Sequence, residues 1–137
     1  MENLHIVNIL LVEDNPGDVR LVQVALEDIG RMKKIHVVSD GLEASNFLFK
    51  RNNYQNAPLP DLIILDLNLP KKSGMELLAE IKEDDLLKKI PVVILTSSKA
   101  EEDILETYKL HANRYITKPA DFDNFLKKVK SIEELII

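Results

Sequence analysis

Short apolar runs alternate along this chain with longer segments whose apolar residues recur at spacings of three and four. The runs fall at about 6–12, 35–38, 62–66, 91–96 and 114–117. Short runs rich in β-branched residues and bounded by turn signals predict buried parallel strands, and the spacings between them predict amphipathic helices. We therefore expect an α/β domain with a doubly wound, five-stranded parallel sheet of order 2-1-3-4-5 and helices on both faces.

Capping residues mark where several helices should begin and end. Asn15 is the expected N-cap of the first helix, with Pro16 at its first position and Gly30 at its end. Two capping boxes of the form Ser-x-x-Glu, at 73–76 and 98–101, predict the starts of the third and fourth helices. The helix boundaries are thus predicted from local side-chain chemistry.

Three apolar runs stop at charged side chains. Glu13 and Asp14 follow the first strand, Asp66 ends the third, and Lys118 follows the fifth, while Thr96 places a hydroxyl at the end of the fourth. In a parallel sheet ligands bind beyond the carboxyl ends of the strands. We therefore expect these side chains to share one pocket at one edge of the sheet.

The chemistry of these groups points to phosphoryl transfer. Neighbouring carboxylates repel one another unless a cation lies among them, and hard oxygen ligands favour Mg²⁺. Lys118 is a mobile charge suited to phosphate oxygens. A carboxylate beside both can attack a phosphoryl group as a nucleophile, in a reaction that needs mainly positioning and charge neutralisation.

The composition of the chain excludes or disfavours several classes of partner and site. The 137 residues fit one domain, and a net charge of -5 disfavours non-specific binding to nucleic acid or an anionic membrane. The absence of cysteine excludes a disulfide framework and a thiolate metal site. The N-terminal segment lacks the basic region of a signal peptide, and no apolar run approaches the ~20 residues that span a bilayer, so we expect a cytoplasmic protein.

The motifs at the strand ends resemble those of the receiver domain of two-component response regulators, a flavodoxin-like fold. The resemblance runs from about residue 9 to residue 125 and is carried by Glu13-Asp14, by Asp66 within the segment LDLNLP at 65–70, by Thr96, and by Lys118-Pro119. The segments at 12–18 and 99–104 are similar to stand-alone receivers that pair with phytochrome-type or other sensor kinases. The resemblance implies a single receiver domain over 1–137 with no output domain.

The resemblance also implies a role for each matching residue. Asp66 would be the phosphoacceptor, and Mg²⁺ would be held by Glu13, Asp14, Asp66 and the backbone carbonyl of Asn68. Lys118 would contact the phosphoryl group and form a cis peptide bond with Pro119. Thr96 would be the switch hydroxyl, and Tyr115 the ring that turns inward when Thr96 engages the phosphoryl group.

The implied function is that of a signalling switch that catalyses only its own phosphorylation and dephosphorylation. Its phosphoryl group would come from a sensor histidine kinase or a phosphorelay protein, and a downstream protein would read the changed surface. No nucleic acid or membrane partner is expected. A homodimer, or kinase docking through the apolar tail at 132–137, is an alternative to packing of that tail on the core.

Other functions stay open on the residues alone. A phosphatase that forms an aspartyl phosphate would resemble the chain at Asp66, but it usually carries a second aspartate where Asn68 stands. A flavin- or nucleotide-binding module would need a glycine-rich phosphate cradle, whereas the loop at 13–18 is acidic. A phosphorylation-independent interaction module is a further alternative.

One departure from the family pattern bears on backbone geometry. Many receivers have glycine after the fourth helix, where the chain turns through positive φ, and His111 stands there instead. Histidine tolerates that region better than most residues. We therefore expect slight strain at this turn and an intact site.

Overall fold

The computed structural model describes residues 6–97, 99–118 and 122–136, and its centre is a parallel sheet. The strands are β1 (Val7–Val12), β2 (Lys33–Val38), β3 (Leu62–Asp66), β4 (Val92–Thr96) and β5 (Arg114–Thr117). They pair in parallel in the order β2-β1-β3-β4-β5. The predicted strand order is confirmed.

In the described part of the chain, five helices connect and cover the strands. They are α1 (Pro16–Leu26), α2 (Gly41–Leu48), α3 (Gly74–Glu83), α4 (Lys99–Thr107) and α5 (Phe122–Ser131), with short 3₁₀ segments at Asn52–Tyr54, Leu87–Lys89 and Ile132–Ile136. Within the described residues, no helix is both long and apolar enough to cross a membrane.

The core has two halves because successive side chains of a strand point to opposite faces of the sheet. Ile9 and Leu11 pack with α1 and α5 on one face. Leu10 and Val12 pack with α2, α3 and α4 on the other. Both halves are closed to solvent, which holds the carboxyl ends of the strands in fixed register.

Two of the predicted helix starts are confirmed. The side chain of Asn15 accepts a hydrogen bond from the Asp18 N–H at 3.1 Å and caps α1. Ser73 and Glu76 form both hydrogen bonds of a capping box at α3. Ser98, from the other predicted box, lies outside the described residues.

The predicted end of the first helix was wrong. The helix ends at Leu26 rather than near Gly30, and the Glu27 N–H is shared between the carbonyls of Gln23 and Val24. The bonds that close the last turn are therefore made before the glycine is reached, and Gly30 has no positive φ.

The positive φ expected at His111 lies instead at Lys109, with φ of 58°. The Leu110 N–H bonds to the Leu105 carbonyl at 2.9 Å, and the Lys109 N–H bonds to the Glu106 carbonyl at 2.9 Å. This pair of bonds is a Schellman motif, which requires a left-handed residue directly after the helix. The prediction for His111 was wrong because α4 ends at Thr107 and the left-handed residue of its C-terminal turn is Lys109, two residues before His111.

The apolar tail packs largely on the core. Ile132 and Ile136 are 0% and 8% exposed and lie in the core half formed with α1 and α5. Core packing, the first of the expected roles of this segment, is confirmed for these two residues, while Ile137 lies outside the described part of the chain.

Candidate metal and phosphoryl site

Three carboxylates meet at the carboxyl edge of the sheet. Glu13 and Asp14 follow β1, and Asp66 ends the adjacent β3, so one oxygen from each lies within 4.8 Å of the others. The Glu13 N–H donates to the Val38 carbonyl at 3.0 Å, which continues the strand pairing and fixes the start of the loop. Glu13 and Asp66 are buried and Asp14 is exposed, so the cluster opens to solvent on one side.

Lys118 reaches into this cluster from the end of β5. Its Nζ lies 2.8 Å from Asp66 Oδ2, 3.1 Å from Glu13 Oε2 and 3.0 Å from Asp18 Oδ2. Its backbone N–H donates to the Thr96 carbonyl at 2.8 Å, which fixes the chain next to β4. The predicted meeting of the lysine with the carboxylates is therefore observed.

Burial and neighbouring charges shift the pKa values of Glu13 and Lys118. Desolvation, together with the hydrogen bond and the charge of Asp66, raises the pKa of Glu13 from 4.5 to about 7, although Lys118 and the Asn15 N–H oppose this. Desolvation alone would lower the pKa of Lys118, but its hydrogen bonds to Asp66, Asp18 and Glu13 outweigh it and raise that pKa above its usual value. Burial therefore favours the protonated form of Glu13, while the carboxylates around Lys118 favour its charged form.

The residues present fit a divalent cation. Glu13 Oε2 is buried and has no well-directed hydrogen bond from the described residues, although Lys118 Nζ is close to it. Three carboxylates with one open side match the hard oxygen ligands and retained waters of Mg²⁺. The Asn68 N–H donates to Asp66 Oδ1 at 3.0 Å, so the loop after β3 folds back over the candidate phosphoacceptor. The role of the Asn68 carbonyl as a metal ligand stays a prediction.

The predicted switch residues flank the same edge. Thr96 is fully buried, and its Oγ1 has no hydrogen-bond partner among the described residues. Tyr115 is half-buried, and its hydroxyl accepts a hydrogen bond from the Ala112 N–H at 3.0 Å. Their switching roles stay predictions, and the expected cis bond between Lys118 and Pro119 lies outside the described residues.

Sequence reasoning missed two polar links at this edge. Asp18 binds Lys118. This contact could have been anticipated, because Asp18 lies in the first turn of α1, which begins directly after Glu13 and Asp14. The Asn68 side chain donates to Glu101 at 2.8 Å, and Glu101 accepts from the Ser97 N–H at 2.7 Å. This second link joins the loop after β3 to the first turn of α4, and no local signal in the sequence pairs these positions.

Comparison with known proteins agrees with this geometry. A family model described as the response regulator receiver domain matches residues 9–130. Response regulator Rcp1 of Synechocystis sp. is 49% identical over 125 residues, which are 91% of this chain and 85% of Rcp1. The probable methanogenesis regulatory protein FilR2 of Methanothrix harundinacea is 38% identical over 126 residues, which are 92% of this chain and 81% of FilR2.

Solved structures agree as well. The phosphorylated cyanobacterial phytochrome response regulator RcpA is 50% identical with a TM-score of 0.86, over 96% of this chain and 94% of RcpA. The Mn²⁺-bound form of Rcp1 is 48% identical with a TM-score of 0.84, over 93% of this chain and 92% of that structure. With the strand order, the clustered carboxylates and the lysine in place, the chain belongs to the response regulator receiver domain family.

Proposed function

We propose that Asp66 accepts a phosphoryl group in a Mg²⁺-dependent reaction. The observation that carries this proposal is the placement of one buried carboxylate 2.8 Å from Lys118 Nζ and within 4.8 Å of two further carboxylates. Receiver domains interact with histidine kinases or phosphotransfer proteins. A sensor histidine kinase, or a protein of a phosphorelay, is the proposed donor.

The chain's own residues divide the work of the transfer. A carboxylate oxygen of Asp66 attacks phosphorus as the bond from phosphorus to the donor's leaving group breaks, which leaves an acyl phosphate. Lys118 binds the oxygens of the transferred group. Its ammonium, which neutralises the Asp66 carboxylate before the transfer, then neutralises the phosphoryl oxygens. Positioning, rather than a proton transfer by the protein, carries most of the reaction.

Receiver domains bind Mg²⁺, and the acidic cluster of this chain fits a divalent ion. The proposed ligands are Glu13, Asp14, Asp66 and the carbonyl of Asn68. When bound, Mg²⁺ supplies positive charge to the transferring phosphoryl oxygens. The carboxylate cluster supports this assignment, because three carboxylates with oxygens within 4.8 Å of one another repel unless a cation lies among them.

The proposed output is a change of the surface around α4. Thr96 lies one residue beyond the position where β4 pairs with Asp66, and its buried hydroxyl has no hydrogen-bond partner within the part of the chain that the structure describes. A new dianionic group offers that hydroxyl a partner and biases the α4 loop and Tyr115 between two arrangements. The hydrogen bond from Asn68 to Glu101 supports this proposal, because it links the loop after β3 to the first turn of α4.

We propose that residues 1–137 act as a single receiver domain whose only catalysis is its own phosphorylation and dephosphorylation. The match over 9–130 supports this reading. The effect would then be delivered by contact with a downstream protein or by onward phosphotransfer. The cytoplasmic location and a homodimer stay predictions.

Acetyl phosphate with Mg²⁺ tests the proposal. Intact-mass spectrometry should show one added phosphoryl group on the parent and on an Asp28→Asn variant, which makes the same exchange at an exposed position. The Asp66→Asn variant should show none, and chelation of the metal should abolish labelling. Labelling of Asp66→Asn as strong as that of the parent would refute the assignment.

A further inference from the structure

Among the described residues, Lys118 has three carboxylate partners, of which two are candidate metal ligands. Glu13 and Asp66 belong to the acidic cluster, whereas Asp18 lies on the rim in the first turn of α1. The Asp18 carboxylate is 3.0 Å from Lys118 Nζ, with 30% of its side chain exposed. Asp18 is therefore a third anchor for the lysine that the predicted roles do not include.

The local sequence leaves the Asp18 side chain free for this contact. An acidic residue at the third position of a helix usually bonds back to the backbone N–H of the N-cap. Here the N-cap N–H, from Asn15, donates instead to Glu13 Oε1 at 3.2 Å. Asn15 Oδ1 meanwhile accepts the Asp18 N–H and fixes that residue in place, so its carboxylate points to the lysine.

Charge balance shows when this anchor matters. A divalent cation among Glu13, Asp14 and Asp66 would engage the two carboxylates that Lys118 shares with the cluster. The same cation would repel the ammonium, since like charges a few ångströms apart are only weakly screened in a partly buried site. Asp18 is the remaining carboxylate, among those bonded to Lys118, that lies outside the cluster.

We propose that Asp18 is a positioning residue that keeps the ammonium of Lys118 beside the phosphoacceptor once the metal occupies the acidic cluster. This inference rests on the proposed function, because it concerns the same lysine and the same transfer. Asp18 in this role prevents the metal and Lys118 from competing for the carboxylates of Glu13 and Asp66.

Phosphorylation rates give the first test. With saturating Mg²⁺ and acetyl phosphate, Asp18→Ala should label about tenfold more slowly than the parent, the effect of losing one charge-assisted hydrogen bond. Asp18→Glu should restore part of the rate, and the near-isosteric Asp18→Asn should be slow although it keeps the shape of the turn. Glu76→Ala is the matched control, since it removes the acid at the same position of α3, where its side chain bonds to the Ser73 backbone, and it should keep the parent rate.

Metal binding gives a second test that needs no phosphodonor. Calorimetry should show that Asp18→Ala weakens Mg²⁺ binding severalfold in the parent, because Lys118 is left to the two cluster carboxylates. In a Lys118→Met background the same substitution should have a clearly smaller effect. An equal loss in both backgrounds would mean a simple charge effect and would overturn the positioning role.

These measurements distinguish a failure of the Asp18 role from a failure of the proposed function. If the parent is labelled, Asp66→Asn is not, and Asp18→Ala matches or exceeds the parent rate, the role of Asp18 is refuted and the proposed function stands. A faster rate in particular would show that the negative charge of Asp18 merely repels the anionic donor. If the parent itself is not labelled, both the proposed function and the inference are refuted.

Discussion

Replacing Glu13 by glutamine should stabilise the metal-free protein, and the gain should depend on pH. The pKa of this buried carboxyl is raised from 4.5 to about 7, chiefly by desolvation and then by Asp66. A raised pKa means that the folded protein binds the proton more tightly than the unfolded chain. The associated stability is complete below pH 4.5 and is lost as the pH rises through about 7.

The magnitude follows from the two pKa values. A pKa of about 7 against 4.5 corresponds to about 3 kcal/mol between the two protonation states. Glutamine does not ionise, so Glu13→Gln avoids this loss. Its amide oxygen can still accept the Asn15 N–H, and its amide nitrogen can donate to Asp66 as the protonated acid would. The variant should exceed the parent by up to about 3 kcal/mol above pH ~8, and by little below pH ~5.

Urea unfolding with a chelator present, followed by circular dichroism across this pH range, measures the difference directly. Glu83→Gln makes the same exchange at an exposed site and should show no pH-dependent gain. Added Mg²⁺ should reverse the order, because the parent binds the ion more tightly than the variant and is stabilised by mass action. A variant that is less stable than the parent at high pH without metal, or a difference that does not change with pH, would refute the reasoning.

Three further predictions concern the same site and the backbone around it. Mg²⁺ binding at about pH 6 should release protons from Glu13, so its calorimetric heat should vary with the ionisation enthalpy of the buffer; identical heats would contradict the raised pKa. Lys109→Gly should raise the free energy of unfolding by about 1 kcal/mol, since glycine adopts positive φ without a steric penalty, and a similar gain from His111→Gly would contradict the assigned turn. Gly74→Ala should destabilise the protein by about 1–3 kcal/mol and slow labelling by acetyl phosphate, because the added Cβ would lie 2.5 Å from the Asp66 carbonyl oxygen; an unchanged rate would show that the loop can move without disturbing the phosphoacceptor.

Much of the architecture could be predicted from the sequence because buried parallel strands produce a strong local pattern. Runs such as 62–66 are apolar on both faces and have turn residues at their ends, so the strands and their order were predicted correctly. The charged residues Asp66 and Lys118 were conspicuous for the same reason, since a core strand does not end in a charge without a partner. Fold and principal site residues therefore followed from periodicity and from the position of charges relative to the strands.

The tertiary structure decided the details for which the local sequence allows several conformations. Both Gly30 and the residues after Leu26 could end the first helix; it ends at Leu26, and Ile29 beyond it is buried in the core half formed with α1 and α5. Lys109 rather than His111 took the left-handed position, because the hydrophobic contact of Leu110 with the core sets where α4 stops.

The same holds for the lysine's third partner. Asp18 could have closed a capping box on its own helix, but Lys118, which follows β5, places its ammonium 3.0 Å from this carboxylate instead. The sequence by itself determined that Glu13, Asp14, Asp66 and Lys118 meet at the site. Only the packing of distant elements determined which charges pair within it, because the strength of an ion pair depends on distance and burial that no local pattern records.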